Sequence, residues 1–151
     1  MVCTPSNPMN QTDSRNVIFL DFDGVLHPTP VPYAQMFCRM PILMRAVEGF
    51  DCVIVISSSW RHYFEIEKLL GRFPESLRSR IVGCTGDVET GKWPRYQEIQ
   101  NYVRDHAISD WRALDDSFME FPENCPQLLL CDPTIGMDDQ HVDAIRKWLK
   151  Q

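Results

Sequence analysis

Two aspartates, Asp21 and Asp23, follow the apolar run Val17-Ile18-Phe19-Leu20 and stand directly before Gly24. A carboxylate desolvated at the end of such a run is costly unless compensated. A second like charge raises the cost. A divalent cation with carboxylate ligands removes it, and Gly24 lets the backbone turn sharply and other groups approach closely. Ser57-Ser58-Ser59 closes a second apolar run, Cys52 to Ile56. Asp115-Asp116 closes another, Trp111 to Leu114, and Asp132 follows Leu128 to Cys131. Carboxylates hold a hard cation, whereas hydroxyls and helix N-termini hold a phosphate. Bound side by side, the two describe phosphoryl transfer. Asp and Ser are also favoured in turns and caps. Any single cluster therefore has a plain structural explanation, and it is the recurrence at successive strand ends that points to chemistry.

The elements that must position these residues are legible as periodic runs. Val17–Leu20, Cys52–Ile56, Ile81-Val82, Trp111–Leu114 and Leu128–Cys131 are short, continuous runs, apolar but for Arg112, as strands buried on both faces are. Between them lie helical patterns. Pro41 suits a first turn, with Leu43, Val47 and Phe50 on one face and Gly49 near the end. Tyr63, Ile66 and Leu70 share a face, with Gly71 as the stop. Pro94 opens a helix with Ile99, Tyr102 and Val103 inward. Asp138 caps a last helix whose stripe is Val142, Ile145, Trp148 and Leu149. The proline-rich stretch His27 to Pro32 reads as a stiff loop flanking the carboxylates. Alternating strands and helices predict an α/β three-layer sandwich around a mainly parallel, Rossmann-like sheet. Parallel strands share one C-terminal edge, where ligands bind. That edge would collect Asp21, Asp23, Ser57 to Ser59, Asp115, Asp116 and Asp132.

At 151 residues the chain is long enough for a core of its own. Residues 1–16 are polar and aperiodic and read as a mobile tail, which leaves 17–151 as a single domain. The net charge of −6 excludes a general basic surface for nucleic acid. No apolar run reaches the ~20 residues of a membrane span, and no secretory pattern opens the chain. The six cysteines form no Cys-x-x-Cys pair. Free thiols in a reducing cytoplasm are the expectation.

Asp21-Phe22-Asp23-Gly24-Val25, the serine after the second strand, a basic residue opening a later helix and the Asp115-Asp116 pair resemble the haloacid dehalogenase (HAD) superfamily, in the family's order. More narrowly, Val17 to Pro28, Ile56 to Arg61, Pro94-Arg95 with Glu98-Ile99, Leu114 to Asp116 and Asp132 to Gly136 look like the small capless HAD domains of Swiss Army Knife RNA repair proteins. Only 34 positions separate Asp23 from Ser57, and 38 separate Ser57 from Arg95. A helix and strand connections use most of both gaps, so neither holds a large cap domain.

The resemblance implies a Mg²⁺-dependent phosphatase acting on a phosphate monoester through an aspartyl-phosphate intermediate. Asp21 would be the nucleophile, and Asp23 the general acid that later activates water. Ser57 would bind a phosphoryl oxygen, a task Ser58 could share or exchange for a capping role. Arg95 would hold both the phosphate and Asp21, with Lys92 as the alternative. Metal ligation would fall to Asp21, Asp23 through its backbone carbonyl, Asp116 and Asp115, the last directly or behind Asp116. An uncapped site admits phosphate on a macromolecule. RNA or DNA ends come first, then phosphoproteins and small metabolites. A HAD-fold binding module without turnover is the rival from another class.

Other features carry less. Gly86 to Lys92 matches most of a phosphate-binding loop, but Trp93 stands where a hydroxyl must reach Mg²⁺. An Asp21-started calcium loop fails, because position 32 is proline instead of glutamate. His27 reads as part of a surface loop. Trp60 reads as helix-start packing or as a platform for a base.

Overall fold

The structure is a computed structural model and describes residues 15–151; the expected tail over residues 1–16 lies almost wholly outside the described residues. Five strands form one parallel sheet in the order β3-β2-β1-β4-β5. They are β1 (Asn16–Leu20), β2 (Cys52–Ile56), β3 (Ile81–Cys84), β4 (Trp111–Asp115) and β5 (Leu128–Leu130). The helices are α1 (Met40–Val47), α2 (Ile66–Leu70), α3 (Glu75–Arg78), α4 (Pro94–Asp105) and α5 (Asp139–Leu149). This is the expected α/β sandwich, with no cap domain among the described residues.

Strand periodicity divides the core in two. Ile18, Leu20, Ile54, Ile56 and Leu114 pack with α1, α2, α3 and α5 on one face. Val17, Phe19, Val53, Val55 and Ala113 pack with Ile99 and Tyr102 of α4 on the other. Each strand therefore contributes alternate side chains to both layers, which is why these runs are mostly apolar, with the half-buried Arg112 an exception in β4.

The same register fixes the edge that matters. Leu20 is level with Ile56 and with Leu114, so the next row is Asp21, Ser57 and Asp115. Backbone bonds extend the row: Asp21 N–H donates to Leu114 O at 3.1 Å, Ser57 N–H to Leu20 O at 2.9 Å, and Thr85 N–H to Ile56 O at 2.9 Å. Leu20, Ile56 and Leu114 face the α1/α5 layer, so by alternation this row turns towards α4. The chain leaves β1 in one direction to β2 and β3, then returns to the other side as β4 and β5. The crevice between β1 and β4 is thus a topological switch point.

Three local expectations change. A 3-10 turn, Ser59–His62, precedes α2 and is capped by the Ser58 hydroxyl, which accepts from Trp60 N–H. Tyr63 therefore lies outside the helix and is exposed instead of packed. The short α3 has too few residues to present a periodic stripe. Cys38, Cys52, Cys125 and Cys131 are free thiols, as expected, but Cys84, half-buried at the end of edge strand β3, is disulfide-bonded. Among the described residues, no helix is long and apolar enough to cross a membrane.

Candidate functional site

Asp21, Asp115 and Asp116 converge beyond the ends of β1 and β4, each with a carboxylate oxygen within 4.8 Å of the others. Asp21 and Asp115 are buried. Gly24, at φ +73°, makes room for the third: a Cβ there would stand 2.1 Å from Asp116 Oδ2. Gly24 is thus required both for its left-handed backbone and for the close approach.

One guanidinium reaches the cluster. Arg95 Nη1 donates to Asp115 Oδ2 at 2.9 Å and lies 3.6 Å from Asp21 Oδ1. Arg95 is in the first turn of α4, behind Pro94 and the left-handed Trp93. A cation is disfavoured by the helix dipole there, so the carboxylates account for its position. Lys92 is exposed, with its ammonium 4.9 Å from the Trp93 ring centre. Of the two basic candidates, Arg95 is the one at the carboxylates.

Glu98 Oε2 holds Arg95 from behind, 3.5 Å from its Nε, and lies 3.1 Å from Arg61 Nη2. Arg61 is buried and donates to four carbonyls, those of Ser57, Ser58, Thr85 and Gly86. It thereby ties the end of β2 to the end of β3. A buried Arg61–Glu98–Arg95 chain connects the serine loop to the aspartates. The sequence hinted at it only through Glu98, which stands one helical turn after Arg95.

Electrostatics follows from the count. Four carboxylates, those of Asp21, Asp115, Asp116 and Glu98, share two guanidiniums, Arg95 and Arg61. Burial drives the Asp21 pKa well up, Asp115 adds to the rise, and Arg95 opposes it. Burial pushes Asp115 up to about 6 against the pull of Arg95, and it raises Asp116 as well. This surplus of negative charge on oxygen donors fits a divalent cation, and an all-oxygen set fits Mg²⁺. The Ser57 hydroxyl supplies a separate observation. It is fully buried, in the same row, and has no hydrogen-bond partner among the described residues. A buried orphan hydroxyl is destabilising, and a phosphoryl oxygen would satisfy it.

Asp23 is outside the carboxylate cluster. Its Oδ1 lies 2.8 Å from His27 Nε2, and its Oδ2 accepts from Trp60 Nε1 at 2.9 Å. His27 Nδ1 accepts from Phe37 N–H at 3.2 Å, which leaves the ring proton on Nε2 to donate to Asp23. His27 is 0% exposed, contrary to the surface-loop reading. After Gly24 the chain curls tightly back, with Gly24 N–H donating to His27 O at 2.9 Å. The prolines that follow say nothing of this return. Asp23 carries its metal expectation only through its backbone, because its carboxylate is engaged elsewhere. Ser58 spends its hydroxyl oxygen on the turn cap. Asp132 does not join the site: its carboxylate accepts from Thr134 N–H and Oγ1 in an exposed turn.

A family model described as "HAD domain in Swiss Army Knife RNA repair proteins" matches residues 17–142. No curated protein and no solved structure matches.

Proposed function

The chain belongs to the family of HAD domains found in Swiss Army Knife RNA repair proteins, and on that premise we propose that it is a Mg²⁺-dependent phosphohydrolase that removes a phosphate monoester from a nucleic-acid end. The observation that carries this reading is the row Asp21–Ser57–Asp115 with Arg95 beside it: a nucleophile, an unpaired hydroxyl and a cation on one strand edge.

Asp21, Asp115 and Asp116 would hold Mg²⁺, with the Asp23 backbone carbonyl. Bound there, the ion neutralises the carboxylates and the incoming phosphate, and so acts as a Lewis acid. Arg95 and the Ser57 hydroxyl orient the phosphoryl oxygens. An Asp21 oxygen attacks phosphorus in line; that bond forms as the ester P–O bond breaks. Asp23 gives its proton to the departing oxygen. Asp23 then takes a proton from water, whose oxygen attacks phosphorus. The bond to Asp21 breaks, and inorganic phosphate leaves. His27 and Trp60 hold both Asp23 oxygens and so fix the direction from which the proton arrives.

The absence of a cap leaves the site open to a macromolecule. Tyr33, Tyr63 and Phe118 stand exposed in the segments that follow β1, β2 and β4, and exposed rings suit unpaired bases. The test is a substrate panel of 3′- and 5′-phosphorylated oligonucleotides, phosphopeptides and sugar phosphates, with and without Mg²⁺. The expected result is Mg²⁺-dependent phosphate release, fastest from an oligonucleotide and absent in Asp21→Asn. Release from no substrate favours the binding module. Preference for a phosphopeptide or a metabolite rejects the nucleic-acid part alone.

A further inference from the structure

Beside the general acid lies a second, unassigned feature. Trp60, Phe64, Lys68, Leu69, Gly71 and Arg72 line a cleft of about 450 Å³. Its two rings, Trp60 and Phe64, have centroids 5.3 Å apart. Its two cations, Lys68 and Arg72, are exposed and make no ion pair with a carboxylate among the described residues. Arg72 instead lies 5.7 Å from the centre of the Phe37 ring. Glu65, Glu67 and Glu75 are exposed on the same segment, but none of them lines the cleft, whose lining carries two positive charges and no negative one.

The position of the cleft gives it a direction. Trp60 belongs to both places: its indole N–H holds Asp23, and its ring forms a wall of the cleft. In a HAD-type transfer the acid must face the leaving oxygen, so the Trp60 side of Asp23 is the leaving-group side. Resting on the functional reading above, we infer that this cleft is the leaving-group subsite. It takes the terminal nucleotide of a single strand, with the base on Trp60 and Phe64 and the next backbone phosphate between Lys68 and Arg72. Aromatic platforms combined with cations on the backbone track are how single strands are held without sequence preference. A phosphopeptide or a sugar phosphate does not use both the rings and the cation pair.

The experiment compares wild type with Phe64→Ala and with Lys68→Ala/Arg72→Ala, using an end-phosphorylated oligonucleotide and p-nitrophenyl phosphate. All three changes are on the surface and outside the catalytic machinery. The expected result is a KM for the oligonucleotide about tenfold higher in each variant. The kcat stays unchanged, and p-nitrophenyl phosphate hydrolysis stays at the wild-type level. The double variant also lowers the dependence of log KM on log salt by about 0.7, from the one phosphate contact it loses. The dephosphorylated oligonucleotide competes with p-nitrophenyl phosphate in wild type and competes less well in the double variant. Wild-type KM values and wild-type product competition in the variants overturn the subsite while leaving the phosphatase standing. Failure of wild type to hydrolyse any oligonucleotide overturns both.

Discussion

Replacing His27 with alanine isolates the contribution of a correctly aimed proton. In the native site both Asp23 oxygens are held, by His27 at 2.8 Å and by Trp60 at 2.9 Å. The substitution leaves the carboxylate hinged on Trp60 alone. A hydrogen bond to a neutral carboxyl, the form that gives up the proton, contributes about 0.5–1.5 kcal/mol, and general acid catalysis as a whole about 10²–10⁴-fold. With the bond lost, kcat/KM for an alkyl phosphate, whose leaving oxygen needs the proton, falls about 3–10-fold. For p-nitrophenyl phosphate the leaving anion is stable and needs little protonation, so the fall is under about threefold. The comparison uses kcat/KM because that ratio covers formation of the aspartyl-phosphate and not its later hydrolysis. His27→Gln is the companion variant: its amide can donate to Asp23 and accept from Phe37 N–H, and it recovers part of the alkyl-phosphate rate. Circular dichroism establishes that the variants are folded. A folded His27→Ala that loses equally on both substrates, or on neither, refutes the positioning role.

Gly24→Ala places a methyl 2.1 Å from Asp116 Oδ2 at a φ of +73°; it abolishes the Mg²⁺-induced rise in Tm and costs about 1–2 kcal/mol from the backbone alone, both measurable by calorimetry and urea unfolding. Glu98→Gln removes the charge buried between Arg61 and Arg95. Breaking such a pair costs about 3–5 kcal/mol, and the lower end is expected because Arg95 keeps Asp115; an unchanged urea midpoint contradicts this. Raised carboxylate pKa values at Asp21 and Asp116, and at Asp115 up to about 6, mean that the folded state binds these protons more tightly than the unfolded state. The associated stability is complete below the ordinary carboxylate range and is lost as pH rises through about 6. Metal-free protein therefore weakens as pH rises from the ordinary carboxylate range through about 6, and Mg²⁺ raises Tm more at about pH 7.5 than at about pH 5; equal rises at both contradict the carboxylate site.

The sheet could be read from its apolar runs because its central strands, β1 and β2 above all, are buried on both faces. Runs such as Cys52–Ile56 have no polar member, and no other element of that length needs this. The register then follows from parallel pairing, which is why Asp21 and Asp115, 94 positions apart in the chain, arrive side by side. What stayed hidden was what individual polar side chains do. His27 precedes three prolines within five residues, a pattern that reads as exposed loop, yet the turn at Gly24 returns it to Asp23 in full burial. Arg61 has no role legible in the sequence, because its hold on four carbonyls depends on where β3 ends. Asp132 was misplaced for the opposite reason. It ends a strand as Asp115 does, but its carboxylate turns back on Thr134. Strand ends announce themselves in sequence, whereas the partner each side chain finds depends on loops that carry no period.

The central claim is that Asp21 becomes phosphorylated at a site completed by Asp115, Asp116 and Arg95. A single turnover with ³²P-labelled substrate and Mg²⁺, quenched in acid and mapped by peptide, tests it most directly. The account predicts a hydroxylamine-labile label on the peptide bearing Asp21, lost in Asp21→Asn and on chelation of Mg²⁺. Label on another residue, or rapid turnover with no labelled intermediate at any quench time, contradicts it.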